Sequence, residues 1–299
     1  MPSVQIFDRA LLRSRRVRAA ALGPSTFLLD RAAADLAERL GTVLRRFDRV
    51  VDLGSPGEAV RTALAAVPSV GTVVRTDAAA DRSAPGSENI VAADEEALPF
   101  RTASLDLVVS VLALQFVNDL PGALLQICHA LKPDGLFVGA LLGGETLTEL
   151  RQCFAAAESE VEGGASPRVA PFADLRDLGG LLQRAGFALP VADVDRLTVR
   201  YRSAFDLMHD LRRMGATNSL CARRRTPLRR TTLLRAVEIY ARDFADDDGR
   251  VRATFDIIWL SGWAPHPSQQ QPLKPGSAQA RLADALGARE ISTGEKAGR

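Results

Sequence analysis

Carboxylates stand at four spaced positions of the chain, Asp52, Asp77, Asp94 and Asp106, and the first is followed at once by Leu53-Gly54-Ser55-Pro56-Gly57. A carboxylate accepts hydrogen bonds from hydroxyl and amino groups, and a glycine-bearing turn lets backbone approach a ligand closely. Together these types describe a nucleotide-cofactor site. An acidic residue about twenty positions past such a turn commonly receives ribose hydroxyls, and Asp77 is so placed. Taken singly, each carboxylate reads as a solvated strand-end residue or turn former; in ordered series they read as positions a bound cofactor would meet.

The turn itself is altered. Where a D-L-G-x-G-x-G pattern has its second and third glycines, the chain has Pro56 and Glu58, which removes an amide donor and adds a carboxylate. Gly54 serves as the first glycine, and Gly57 restores some room out of register. Two unit charges about 4 Å apart in a partly shielded site interact by about 4 kcal/mol, so Glu58 facing a cofactor carboxylate would lower affinity about a thousandfold. Turned toward positive groups of the cofactor, it would help instead, and sequence leaves both open.

Other chemistries have less behind them. Cys128 and His129 are adjacent on a helical run and point about 100° apart, so they are no metal pair. His129, His209 and His266 lack ligand spacing, and there is no serine nucleophile elbow. Gln115, Asn118 and Glu145 are polar candidates near the pocket without a base signature, and Asn118-Asp119 before Pro121 also reads as a helix cap. Arg223-Arg224-Arg225 with Arg229-Arg230 reads as a solvated helix start rather than a nucleic-acid patch, since aromatics are not interleaved. Arg13, Arg15, Arg16 and Arg18 could touch an anionic membrane surface from a helix.

The elements that position the carboxylates alternate. Strands are expected over 49–53, 70–76, 89–92, 105–111 and 136–142, with helices over 58–67 and 121–131 between them. The nearly continuous apolar run Leu105 to Val111 suits a strand covered on both faces. This rhythm implies a mostly parallel, doubly wound α/β sheet. Beyond Gly143-Gly144 come helices over 146–160 and 172–185, late strands over 193–201 and 254–262, and helices over 204–214 and 228–243. A domain over 46–271 with a helical insertion at about 203–245 follows a helical segment 1–45. The polar tail 272–299 is expected to be disordered apart from a short helix over 278–286.

Composition sets the outer limits. The chain has 299 residues, 46% of them hydrophobic, and a net charge of +2, which says little about partners. No apolar run approaches the roughly 18 residues of a membrane span. Three scattered cysteines fit a reducing compartment, and the N-terminus has no secretory hydrophobic region. A cytoplasmic protein is expected, with a peripheral position at the inner membrane face as a variant.

The series Asp52-Leu53-Gly54, Asp77, Asp94-Glu95-Glu96-Ala97-Leu98-Pro99-Phe100, Leu105 to Ser110 and Leu131-Lys132-Pro133-Asp134-Gly135 resembles the class I S-adenosylmethionine-dependent methyltransferases. Within them the chain is most similar to the mitochondrial complex I assembly factor 5 group and its bacterial relatives, with a more distant likeness to malonyl-carrier-protein methyltransferases. That likeness rests on Ile6-Phe7-Asp8-Arg9, Phe116 to Pro121, Gly143 to Leu147, Glu162 to Pro167 and Gly262-Trp263 with His266, and spans about Ile6 to Ser277. The resemblance implies a Rossmann-like fold with a seven-stranded sheet, its last strand antiparallel, helices on both faces and a helical cap. It implies S-adenosylmethionine as cofactor, with Asp52 and Gly54 near the methionine moiety, Asp77 on the ribose, and Asp94 with Glu95 beside the adenine.

The group's assembly-factor members are associated with arginine hydroxylation on a complex I subunit, so the partner implied is a protein, and nucleic acid is not expected. Pro56, Glu58 and Gln115 depart from the pattern, Gln115 standing where the group has a histidine. Two function classes stay open: an S-adenosylmethionine-dependent enzyme, either methyltransferase or arginine hydroxylase, and a non-catalytic assembly scaffold with a decayed cofactor loop.

Overall fold

The computed structural model describes residues 5–78, 89–270 and 287–288. The helix expected over 278–286 and almost all of the polar tail lie outside the described residues. The chain divides into two units, Met1–Pro265 and His266–Arg299. In the second, the described residues form a turn in which Ser268 Oγ meets His266 Nδ1 at 2.6 Å.

The first unit runs α1 (Arg9–Ala21), α2 (Phe27–Gly41), β1 (Phe47–Leu53), α3 (Ala59–Ala65), β2 (Val70–Thr76), β3 (Ile90–Val91), β4 (Leu105–Val111), α4 (Leu120–Ala130), β5 (Leu131–Gly143), α5 (Thr148–Glu162), α6 (Leu175–Arg184), β6 (Ala188–Tyr201), α7 (Ala204–Arg213), α8 (Arg230–Asp243) and β7 (Val251–Trp263). The seven strands make one sheet in the order β3-β2-β1-β4-β5-β7-β6. β7 alone runs antiparallel, between β5 and β6.

Side-chain alternation in the strands creates two cores. Val51, Leu53 and Val108 face one side and pack with Leu124 and Ile127 of α4 and Leu178 and Leu182 of α6. Val50, Leu107 and Val109 face the other and meet Leu36 and Leu40 of α2 and Val60 and Leu64 of α3. Burial on both faces explains why the central strands read as unbroken apolar runs, whereas β6, at the sheet edge, alternates half-buried and exposed positions. A third core joins α5, α7 and α8, with Tyr240 fully buried, and forms the helical cap.

β5 begins five residues earlier than expected. Leu131 pairs with Leu105, the register slips, and pairing resumes at Leu136 with Leu107, so the Lys132-Pro133-Asp134-Gly135 turn is absorbed as a bulge with Asp134 at φ +67°. Asp119, not Asn118, caps α4, accepting a hydrogen bond from Gly122 N at 2.8 Å.

Candidate cofactor cavity

Parallel strands direct their carboxyl ends to one edge of a sheet, and loops there can surround a ligand. At that edge, beyond β1, β2 and β4, lies a cavity of about 350 Å³. Gly54, Ser55, Pro56 and Gly57 line it from the loop after β1, with Arg75, Asp77, Glu95 and Gln115 from neighbouring segments. The structure thus brings Gly54, Gly57, Asp77 and Glu95 to one cavity, with Asp94 adjoining Glu95 and Asp52 buried behind Gly54.

The loop path depends on its two glycines. Gly54 has φ +70° and Gly57 φ +67°, a region costly for other residues. A Cβ on Gly54 would run into the Glu95 carboxylate, whereas one on Gly57 would meet nothing nearer than Leu29 Cδ2 at 3.9 Å. Gly54 N donates to Thr76 Oγ1 at 3.0 Å, and Val111 N donates to Ser55 Oγ at 2.9 Å, so β2 and β4 both hold the loop.

Asp52 is fully buried, and neither oxygen has a hydrogen bond of good geometry among the described residues. Burial pushes its carboxyl up to about 7; Ser55 and the Arg75 charge offset this only in part. With the folded value above the unfolded one of 3.8, its contribution to stability is full below 3.8 and is lost as pH rises through about 7. Asp52→Asn is therefore expected to raise the unfolding midpoint at pH 8, by an amount corresponding to about 2–4 kcal/mol, and the gain should shrink toward pH 5 in thermal melts.

Glu58 does not point at the cavity. Its oxygens meet Arg75 Nη1 and Arg61 Nε, each at 2.5 Å, and Arg75 Nη2 meets Asp77 at 2.8 Å. The charge added in place of the third glycine is held by its own chain. Arg75, near the end of β2, and Asp77, just past it, are two positions apart and share a side of the extended chain, and that spacing was the signal for Arg75.

α1 forms a further wall. Arg9 bonds Asp94 at 2.6 Å and also Glu95, Arg13 lies 3.2 Å from Asp94, and Arg16 lies 3.7 Å from Glu95 and stacks on Phe116. Their spacing of four and three residues puts these arginines on one helix face, which is how a sequence could have shown them. Arg13 and Arg16 are thus paired with carboxylates of the cavity wall, and Arg15 is bound to the Asn218 carbonyl. Of the other arginines, Arg223 pairs with Asp8 at 3.1 Å and Arg224 with Glu162.

Three expected positions belong elsewhere. Asp106 opens β4 and so sits at the amino edge, opposite the cavity, bound to Lys132 Nζ at 2.6 Å and Arg49 N at 2.9 Å. Asn118 clamps the N-terminal segment, its Oδ1 accepting from Ile6 N at 2.8 Å and Phe7 N at 2.7 Å. Glu145 is not part of the lining, and its N–H donates to Asp256 at 2.9 Å. Among the described residues no helix is long and apolar enough to cross a membrane.

A methyltransferase-domain family model matches residues 51–139, from β1 into β5. The mitochondrial arginine-hydroxylase NDUFAF5 of Danio rerio is 40% identical over 290 residues, covering 94% of this chain and 89% of the relative. The chain belongs to the NDUFAF5 family. The malonyl-[acyl-carrier protein] O-methyltransferase of Laribacter hongkongensis is also similar, 34% identical over 90% of this chain and 94% of its own. A Bacillus halodurans crystal structure described as a candidate methyltransferase has the same fold, with TM-score 0.52 and 17% identity over 78% of this chain and 99% of its own.

The NDUFAF5 comparison corrects one expectation. The NDUFAF5 relatives are named as mitochondrial proteins, which overturns the cytoplasmic placement. That placement leaned on the lack of a secretory hydrophobic region, a criterion silent about mitochondria, whose transit segments are amphipathic and Arg-rich.

Proposed function

We propose that the cavity binds S-adenosylmethionine and that the protein acts on an arginine side chain of a partner protein, in the setting of respiratory complex I assembly. One observation carries this most: Glu58 is tied to Arg75 and Arg61, leaving Gly54 and Gly57 to open the cavity. The donor set suits the ligand. Asp77 would take the ribose hydroxyls, Asp94 and Glu95 the adenine side, and Asp52 with Gly54 the methionine moiety, whose ammonium would compensate a buried carboxylate lacking partners. Gly57 leaves room along the same wall.

When bound, the cofactor would supply a sulfonium with an activated methyl group. The chain's own contribution is placement and exclusion of water: the loop and β2 hold one side, and α1 covers the other. An arginine as target follows the name of the 40%-identical relative, which is a hydroxylase of arginine. The partner context follows the resemblance of the outer motifs to the assembly-factor group.

The scaffold alternative has its own observation, since Arg9 and Arg13 already occupy Asp94, and Arg9 and Arg16 occupy Glu95. Equilibrium dialysis with labelled S-adenosylmethionine separates the two. Retained label that S-adenosylhomocysteine displaces supports the enzyme; no retention at millimolar ligand leaves the scaffold.

A further inference from the structure

Two segments without a carboxylate build the mouth of the cavity. Between Asp8 and Asp30 the chain has five arginines and no acidic residue, and between Asp210 and Glu238 it has eight arginines and none. The two meet where α1 ends. Arg213 Nε donates to the Gly23 carbonyl at 2.6 Å, and Ser25 N donates to the Arg213 carbonyl at 3.4 Å. Val17, Ala20 and Pro24 line the cavity and are exposed, so with Arg213 and Met214 they form its rim.

The arginines of these segments fall into two groups. Arg9 and Arg13 are spent on Asp94, Arg223 on Asp8, Arg224 on Glu162 and Arg235 on Glu160. Arg18, Arg212 and Arg213 pair with no carboxylate among the described residues, and the terminal nitrogens of Arg213 make no hydrogen bond there. Arg18 and Arg212 are exposed beside the rim. Cations gathered without counter-charges raise the local potential and attract an anionic partner. Apolar surface accompanies them: Val17 is 60% exposed and Leu22 53%.

Cavity size limits what else can enter. At about 350 Å³ the cavity is at the low end of ligand pockets, roughly 300–1,000 Å³, so a bound cofactor would fill most of it. A target residue would then reach in by its side chain alone, leaving the chain on either side of it on the rim. A bilayer is the poorer occupant. α1 turns Leu12 and Ala19 into the protein and presents a valine and alanines outward, too little apolar surface to insert, and a membrane over the mouth would block it.

We infer that the rim is the docking surface for an acidic segment of the partner protein, its carboxylates received by Arg18, Arg212 and Arg213 and an apolar side chain beside them seated on Val17 and Leu22. This rests on the protein-substrate reading above and adds to it the chemistry of the segment around the target residue.

The test is fluorescence-anisotropy titration of two labelled nonapeptides into the full-length protein, with and without S-adenosylhomocysteine. Both peptides carry a central arginine and leucines; one is flanked by aspartates and the other by lysines. Wild type is expected to bind the aspartate peptide at least about tenfold more tightly, and less so as salt rises. Arg213→Glu should shrink the ratio of the two affinities at least about fivefold, whereas a merely structural defect would weaken both peptides equally. Val17→Asp, at an exposed position that folding tolerates, should also weaken the aspartate peptide. Arg176→Glu makes the same charge change on α6 and should leave the ratio unchanged. No preference in wild type, no binding of either peptide, or equal effects of Arg176→Glu and Arg213→Glu would overturn the inference. So would sedimentation of wild type, but not Arg213→Glu, with phosphatidylserine vesicles, which would assign the rim to a membrane. Absence of S-adenosylhomocysteine binding overturns the cofactor reading, while the rim is still judged by the peptide ratio on the free protein.

Discussion

Gly54→Val is expected to abolish S-adenosylmethionine binding and to lower folding stability by about 2–4 kcal/mol. Position 54 has φ +70°, which a β-branched residue adopts only under strain, and the new side chain would enter the space of the Glu95 carboxylate. Glu95 is itself buried and bound by Arg9, so it has little freedom to retreat. The control is Gly57→Ala. Its φ of +67° brings the backbone strain, about 1 kcal/mol, but the added methyl meets only Leu29 at 3.9 Å. Chemical denaturation and ligand titration on both variants should show a graded stability loss and a binding loss confined to position 54. Equal binding losses would mean that the loop path, not the approach to Glu95, governs the site.

The second large effect concerns Arg75. Arg75→Leu removes one partner each from Glu58 and Asp77, and the charge that moderates Asp52. Glu58 would keep Arg61, and it is half-exposed, so the full 4 kcal/mol of an unrelieved pair at about 4 Å is not reached. About 2–3 kcal/mol remains, a weakening of cofactor affinity of about a hundredfold. The double variant Arg75→Leu/Glu58→Gln should recover most of that loss. If the double variant binds no better than Arg75→Leu, Glu58 is irrelevant to the cavity and the altered glycine loop needs another explanation.

Much of this arrangement was legible before any coordinates. The strand-end positions of Asp52 and Asp77 follow from apolar runs that stop at a carboxylate, and the left-handed Gly54 follows from a strand–turn–helix context. Asp106 was legible too, but in the opposite sense: a residue that opens a parallel strand lies at the amino edge, away from any ligand. The direction of Glu58 was not legible, because it is decided by Arg75 on another strand as well as by its helical neighbour Arg61.

The same limit applies to Asp94 and Glu95, whose arginine partners lie some eighty residues earlier, on α1. Long-range ion pairs leave only a one-sided trace in sequence, here the i, i+4, i+7 spacing of Arg9, Arg13 and Arg16. The early start of β5 was hidden for a local reason: a proline and a turn dipeptide signal a break, and the sheet accommodates them as a bulge.

The most direct measurement is calorimetric titration of S-adenosylmethionine into the purified protein and into Asp77→Ala. Micromolar binding by the native chain, weakened at least about a hundredfold in the variant, is the expected result. A native chain that binds nothing, or a variant that binds as well as the native chain, would contradict a cofactor site built around Asp77.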